Sequence, residues 1–270
     1  MTSAEQLAET TDEPVLLRDD ADGVSTLTLN RPKSGNSLSH ALVAALQSTL
    51  EDIAGDPSVR VVVFAASGKH FCTGHDLKES LATKTGADKA ASNHACNVMM
   101  QTIVELPQPV IARVHGTATA SGCELASSCD LIVASDVARF ATPGVNIGFW
   151  CYTPQVALSR VVSRKQALEM LLTGDLIDAQ EALRIGLVNR VVPLADLDAA
   201  VGGLAAKIAS KSSEAVARGK QSFYRQYEMT RSGAYDYVTK DVIPEAFEAD
   251  DAREGIAAFV EKRPPAWKGR

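Results

Sequence analysis

Hydrophobic and polar positions change rhythm twice along this chain. Val24 to Asn30 alternates as Val-Ser-Thr-Leu-Thr-Leu-Asn, the two-residue period of a strand buried on one face, and Asn30-Arg31-Pro32 stops it. From Ser39 to Ile53 the apolar residues Leu42, Val43, Leu46, Leu50 and Ile53 fall at helical spacing, with Ser39 as N-cap and Gly55-Asp56-Pro57 as terminator. Val59 to Ala66 is a nearly continuous β-branched run, which predicts a strand covered on both faces. A second long helix is expected over Ala87 to Leu106, ended by Pro107 and Pro109. A buried strand at Val110 to Val114, a short helix at Ser121 to Ser128 and a strand at Asp130 to Ala134 follow. This alternation predicts stacked α/β units with mostly parallel strands.

From Thr153 onward the spacing turns helical, over Gln166 to Leu172, Asp178 to Ile185, Leu194 to Ala209, Glu214 to Gln226 and Pro244 to Glu261. Val188 to Val192 alone reads as a strand there, and Gly174, Gly186 and Pro193 punctuate the text. No low-complexity linker separates the two parts, so one fold unit is expected. It divides into a disordered tail over 1–14, an α/β core over 15–200 and a helical region over 201–270.

Composition adds exclusions. The 270 residues are 46% apolar with a net charge of −6, ordinary for a globular protein with a good core. No basic stripe appears, so neither nucleic acid nor an anionic membrane is an expected partner, and no apolar run is long enough to span a bilayer. The first residues are polar and acidic, without the apolar core of a secretory signal or the arginines of a transit peptide, and a cytoplasmic protein is expected. Cys72, Cys96, Cys123, Cys129 and Cys151 form no Cys-x-x-Cys pair, so neither a disulfide framework nor a metal site is expected. Packing is the favoured reading for these thiols. Cys72 and Cys151, in loops near the candidate site, leave a reactive thiol as the alternative.

Two short loops carry the candidate chemistry: Phe71-Cys72-Thr73-Gly74-His75-Asp76-Leu77 and Ala120-Ser121-Gly122-Cys123-Glu124-Leu125. Each follows an apolar strand and each has glycine where the backbone bends tightly or approaches a ligand. The second places Glu124 on the first turn of a helix. Two such turns facing each other can aim backbone N–H groups at one oxygen, the geometry of an oxyanion hole.

Together with Asn30-Arg31-Pro32, Asn36-Ser37-Leu38, Cys129-Asp130, Phe140-Ala141-Thr142-Pro143, Leu172-Thr173-Gly174, Gly186-Leu187-Val188 and Phe259-Val260-Glu261-Lys262-Arg263, these loops resemble the crotonase family, the enoyl-CoA hydratase/isomerase superfamily. The likeness runs from about Val24 to the C-terminus. The stretch His94 to Met100, with Phe140 to Trp150 and Thr153-Pro154, is most similar to the subgroup of enoyl-CoA hydratase domain-containing proteins.

The resemblance implies an α/β fold, a spiral of ββα turns with a C-terminal helical trimerisation region, and a homotrimer or homohexamer. It implies an acyl-CoA thioester as substrate, no further cofactor, and a place in fatty acid metabolism as a lyase or isomerase. Carried over position by position, the oxyanion donors are the N–H groups of His75 and Ser121, and Glu124 is the acid/base. Asn36, Ser37, Leu38, His75, Asp76, Leu77 and Lys78 line the coenzyme A path. Phe259 and Lys262 meet the nucleotide from a neighbouring subunit.

The chain departs from the hydratase pattern at Gly144, where the second catalytic glutamate is expected after Pro143, and at Phe149-Trp150-Cys151-Tyr152, where hydratases have proline and glycines. One positioned acid or base is worth roughly 10²–10⁴ in rate. The expected protein is an acyl-CoA enzyme of the hydratase/isomerase type that stabilises a thioester enolate in a backbone oxyanion hole. The alternatives are a catalytically degenerate acyl-CoA-binding protein, or a one-glutamate isomerase or decarboxylase rather than a true hydratase. Plain readings stand beside these. Glu124 can be an acid favoured by a helix N-terminus, Ser121 an N-cap and Asp76 a loop-structuring acceptor. The His75 ring reads as solvated, Tyr152 as a packed aromatic rather than a replacement acid, and Lys262 as a cation at a helix end.

Overall fold

The computed structural model describes residues 13–82 and 85–269, so residues 1–12 of the expected tail lie outside the described residues. Pro14 is held, its carbonyl accepting a hydrogen bond from Asn30 Nδ2 at 3.0 Å.

The first half runs β1 (Leu16–Ala21), β2 (Val24–Leu29), α1 (His40–Ala54), β3 (Val61–Ala66), β4 (His70–Cys72), α2 (Leu77–Ala82), α3 (Gly86–Glu105), β5 (Val110–Val114), β6 (Thr117–Thr119), α4 (Ser121–Ser128), β7 (Leu131–Ser135) and β8 (Arg139–Ala141). It continues through α5 (Pro154–Val161), α6 (Arg164–Thr173), β9 (Ile177–Asp178), α7 (Ala179–Arg184), β10 (Arg190–Val192) and α8 (Leu197–Ala209). The chain closes with α9 (Ser213–Tyr227), α10 (Arg231–Tyr237), a π turn at Val238–Val242, α11 (Ile243–Glu248) and α12 (Asp250–Glu261).

A six-stranded sheet has the order β1-β2-β3-β5-β7-β10, parallel throughout except for the β1–β2 hairpin. All six residues of β3 are buried, as its β-branched text requires. On one face Leu42, Leu46 and Leu50 of α1 and Met99 and Ile103 of α3 pack with Leu27, Val62 and Phe64; on the other, Leu197, Val201 and Leu204 of α8 cover Val61, Val63, Ile111 and Val133. Each fully buried side chain of this size contributes roughly 1.5–3 kcal/mol. Ser39 caps α1 as expected, its hydroxyl accepting from Leu42 N–H at 3.2 Å.

Several expectations are corrected. β1 has no alternating pattern because it is a solvated, charged edge strand, registered Leu16 to Leu29. Val188 to Val192 is not the only strand of the second half: β9 precedes it. The helix expected over Pro244 to Glu261 is two, broken where Ala249 turns extended (φ −64°, ψ 137°), with neither glycine nor proline to mark the break. No periodicity along the chain marks the second, four-stranded sheet β4-β6-β8-β9. It positions the site, because β4 and β6 are parallel neighbours (His70 beside Thr117, Cys72 beside Ala118) and both glycine loops leave the same end of this pair.

Candidate active site

The loop after β6 is set by steric necessity. A Cβ on Gly122 would stand 2.0 Å from the Cys72 carbonyl oxygen, so only glycine lets α4 start against the end of β4. Gly74, at φ 101°, faces it across the gap; a Cβ there would meet Ala120 Cβ at 2.9 Å and Ser121 N at 3.3 Å. Ala120 between them holds a left-handed backbone (φ 50°, ψ −123°), a strain of roughly 1–3 kcal/mol. Its N–H bonds Ala141 O at 3.0 Å and its carbonyl accepts from Cys123 and Glu124, which fixes the turn. Among the described residues, neither the His75 nor the Ser121 N–H is used as a donor in this loop network.

Glu124 follows one turn into α4 and is 5% exposed. Burial pushes its carboxyl up to about 7; the hydroxyls of Thr153 and Ser121 pull the other way. Thr153 Oγ1 donates to Glu124 Oε2 at 2.8 Å. Thr153 stands at the start of α5, where a threonine ahead of a proline reads as an N-cap; its side chain makes no cap bond and turns to Glu124 instead. The sequence offered no sign of that turn.

The His75 ring is not solvated. Its Nδ1 lies 2.8 Å from Ser121 Oγ, and its Nε2 is buried without a hydrogen-bond partner among the described residues. Burial, with His40 nearby, holds its pKa below the usual imidazole value. The loop that carries it is clamped from below. Asp76 accepts from Arg31 Nη2 at 2.9 Å, from the Ser37 hydroxyl at 3.2 Å and from Lys78 N–H at 3.1 Å. Burial raises the Asp76 pKa, but these bonds outweigh it and hold the carboxyl below its ordinary value.

Asn36 is fully buried: its Oδ1 accepts from Arg31 N–H at 2.8 Å and its Nδ2 donates to the carbonyls of Ser67 and His70 at 2.8 and 2.7 Å. Leu38 is buried and its N–H bonds Gly74 O at 2.8 Å, so the Asn36–Leu38 side chains build the loop, while Leu77 and Lys78 are exposed.

Gly144 is the buried residue of an otherwise open turn over Pro143–Ile147. A Cβ there would meet Phe149 O at 2.8 Å and Cys151 Sγ at 3.0 Å, so this backbone leaves no room for a carboxylate-bearing side chain. The aromatic residues of this loop point out: Phe149 and Tyr152 are 62% and 59% exposed and meet edge to face at 5.5 Å. Trp150 Nε1 donates to Gln155 at 2.8 Å. All five cysteines are free and buried, with burial pushing the Cys72, Cys96 and Cys123 thiols up to about 12, the state of packed rather than reactive sulfur. Phe259 and Lys262 lie exposed on and just after α12, which packs on α9 and α11. Among the described residues no group of three or more His, Cys, Asp or Glu is placed to hold a metal ion, and no helix is long and apolar enough to cross a membrane.

A family model described as enoyl-CoA hydratase/isomerase matches residues 19–270. The chain belongs to that family. Enoyl-CoA hydratase domain-containing protein 3, mitochondrial, from Homo sapiens is 46% identical over 247 residues, 91% of this chain and 81% of that protein. Its namesake from Xenopus laevis is 44% identical over 255 residues, 94% and 86%. A crystal structure of an enoyl-CoA hydratase from Mycobacterium smegmatis superposes with a TM-score of 0.92 at 50% identity, covering 94% of this chain and 99% of that one. The human domain-containing protein 3 superposes with a TM-score of 0.89 at 45% identity, covering 94% and 100%. The mixed α/β architecture is therefore the family's.

The cytoplasmic expectation does not stand. The relatives from Xenopus laevis and Homo sapiens, and three more of the same name, are called mitochondrial. The absence of a leader-like pattern in a polar segment was too weak a signal to place the protein.

Proposed function

We propose that this protein is an acyl-CoA enzyme that moves a proton next to a thioester carbonyl, closer to a double-bond isomerase than to a two-acid hydratase. The supporting observation is Glu124: one buried carboxyl, raised to about 7 and therefore matched to proton transfer near neutral pH. In this reading the carboxylate takes the proton from the α carbon, and the electrons of that C–H bond move onto the thioester oxygen. The N–H groups of His75 and Ser121 hold the resulting enolate, each strong donor contributing on the order of 3 kcal/mol. The protonated Glu124 then returns its proton to the γ carbon, which shifts the double bond with no net change in protons. Hydration needs a second group to activate water, and at Gly144 the backbone of Phe149 and the thiol of Cys151 occupy its place.

Residues 201–270 are proposed to bind neighbouring subunits, in a trimer or a hexamer, and to bring Phe259 and Lys262 to a partner's coenzyme A. The fatty acid role rests on the same reading, and coenzyme A enters as part of the substrate. A second reading, an acyl-CoA-binding protein with little turnover, is favoured by the closed Gly144 turn alone.

Purified protein assayed with 2-enoyl and 3-enoyl thioesters, beside Glu124→Gln, separates these. The first reading expects interconversion of the two thioesters, cut at least a hundredfold in the variant. Tight binding with no turnover in both proteins would leave the second reading, and undiminished activity in Glu124→Gln would remove Glu124 from its role. Gly144→Glu is not expected to create a hydratase, because its Cβ displaces the Phe149–Cys151 backbone first.

A further inference from the structure

The two oxygens of the Glu124 carboxyl are not equivalent. Oε2 accepts from Thr153 Oγ1 at 2.8 Å. Oε1 makes no hydrogen bond to any described residue, yet it is not one of the enclosed polar atoms left without a partner, so the small surface that Glu124 still exposes reaches this oxygen. The direction of the Thr153 bond is fixed, because an ionised carboxylate only accepts and the threonine hydroxyl has the one proton to give.

Thr153 reaches Glu124 because its backbone gives up the cap. A side chain caps a helix when its own backbone is extended, and the residue before a proline ordinarily is extended. Thr153, ahead of Pro154, is helical instead (φ −80°, ψ −39°). Val156 N–H on the Thr153 carbonyl at 3.0 Å and Gln155 N–H on the Cys151 carbonyl at 3.1 Å hold it there. The hydroxyl is thereby turned from the first turn of α5 toward α4.

We propose that Thr153 is a positioning residue for Glu124: its hydroxyl holds Oε2 and leaves Oε1 as the one oxygen that takes and returns the proton. The last torsion of a glutamate side chain is broad and two-fold, so an untethered carboxyl presents either oxygen. Tethered at Oε2, it presents the same oxygen at the same angle when the α carbon gives up its proton and when the γ carbon receives it. The bond also favours the ionised form and so offsets part of what burial does to it. The proton-transfer role rests on the reading of Glu124 as the base; the hydrogen bond to Oε2 does not.

The other groups that face Glu124 leave this bond distinguishable. Cys96 of α3, Cys123 of α4 and Cys151 of the loop before α5 are the thiols electrostatically coupled to it, and burial raises each pKa, so all three stay neutral where Glu124 titrates. The Ser121 hydroxyl, 2.8 Å from His75 Nδ1, also draws the Glu124 pKa down, and every variant used below keeps it.

Carboxyl-carbon NMR of Glu124, without any thioester, tests the tether. Thr153→Val keeps the shape and removes the hydroxyl. It should raise the Glu124 midpoint by roughly one pH unit, the scale of one lost hydrogen bond to a charged group. Thr153→Ser, which keeps the hydroxyl, should stay near the unaltered midpoint. Exchange of a thioester's α proton then reads the positioning. Above both midpoints Glu124 is ionised in each protein, yet the valine variant should still be roughly tenfold slower at saturating thioester, with KM little changed, and the serine variant should recover. In the unaltered protein the Thr153 hydroxyl proton should be protected from exchange with water and should shift as Glu124 titrates. A valine variant whose midpoint does not move, or one as fast as the unaltered protein above both midpoints, overturns the proposal. So does a Thr153 hydroxyl proton that ignores the Glu124 titration, even if the valine variant misfolds. A protein that binds no acyl thioester would overturn the functional reading instead, while the titrations still decide whether Thr153 holds the carboxylate.

Discussion

The glycine-loop site and the C-terminal helices are built on opposite principles. The site is built by contacts within one chain: Gly122 presses on the Cys72 carbonyl, Asn36 spends its amide on backbone, and the enclosed Glu124 accepts from the Thr153 hydroxyl. The helices from α9 onward bury almost nothing of their own. No residue of α9, α10 or α11 is buried, and Phe223, Tyr235, Phe247 and Phe259 all stand in solvent. α9 is held by a polar clamp rather than by apolar burial. Lys220 Nζ reaches the carbonyls of Ile103 and Gln108, each at 3.0 Å, and Asp130 at 2.8 Å, while the Tyr224 hydroxyl donates to the other Asp130 oxygen at 2.9 Å. Under the association proposed above, neighbouring subunits would cover this open apolar surface, whereas the contacts that build the site are made within one chain.

The contrast can be broken at its strongest points. Gly122→Ala is expected to be the most damaging change. A methyl 2.0 Å from a backbone oxygen cannot be absorbed by a side-chain shift, and a loss of about 3 kcal/mol or more should appear as a lower urea midpoint. Lys220→Ala comes next. It takes the cation from the half-buried Asp130 carboxylate, which keeps the Val110 N–H and the Tyr224 hydroxyl, and should cost about 2 kcal/mol in the same measurement, with hydrogen exchange in α9 rising well before that in the sheet.

Glu124→Gln works in the opposite direction. A carboxyl whose folded pKa is raised to about 7 from its ordinary value of 4.5 binds more protons folded than unfolded between those values, so the native protein loses stability as pH rises through that window. The full loss is on the order of 3 kcal/mol above pH 7. The glutamine variant should show no such decline and should be the more stable protein at pH 8. His75, held below its ordinary pKa, gives stability that is lost as pH falls below 6.5, and that limb should remain in the Glu124 variant. Phe259→Ala is expected to have the smallest effect on unfolding, within about 0.5 kcal/mol, because the ring is 86% exposed. Its effect belongs in the concentration dependence of sedimentation, which should shift toward smaller species if α12 is an association surface.

Where the chain writes its structure in periods, the reading was direct. The run that became β3 and the leucine stripe of α1 follow from residue spacing alone, and Ser121 to Ser128 is α4 to the residue. The second sheet was illegible because its strands are two or three residues long, too short to show a period. The C-terminal helices kept their amphipathic text while their breaks were set by backbone turns at ordinary residues such as Ala249. In the site, Glu124 was legible from its place in the loop. Its partner was not: Thr153 comes from the start of α5, and the His75 ring, from the loop after β4, meets Ser121, contacts made by the fold and not by spacing.

The most direct test of the central claim is exchange of a thioester's α proton for deuterium, followed by NMR, with the unaltered protein beside Glu124→Gln. Glu124 acting as the base beside a held thioester carbonyl requires washout of the α proton by the unaltered protein, slowed at least a hundredfold by the substitution while thioester affinity is kept. Equal exchange rates in the two proteins, or no binding of an acyl thioester at millimolar concentration, would contradict it.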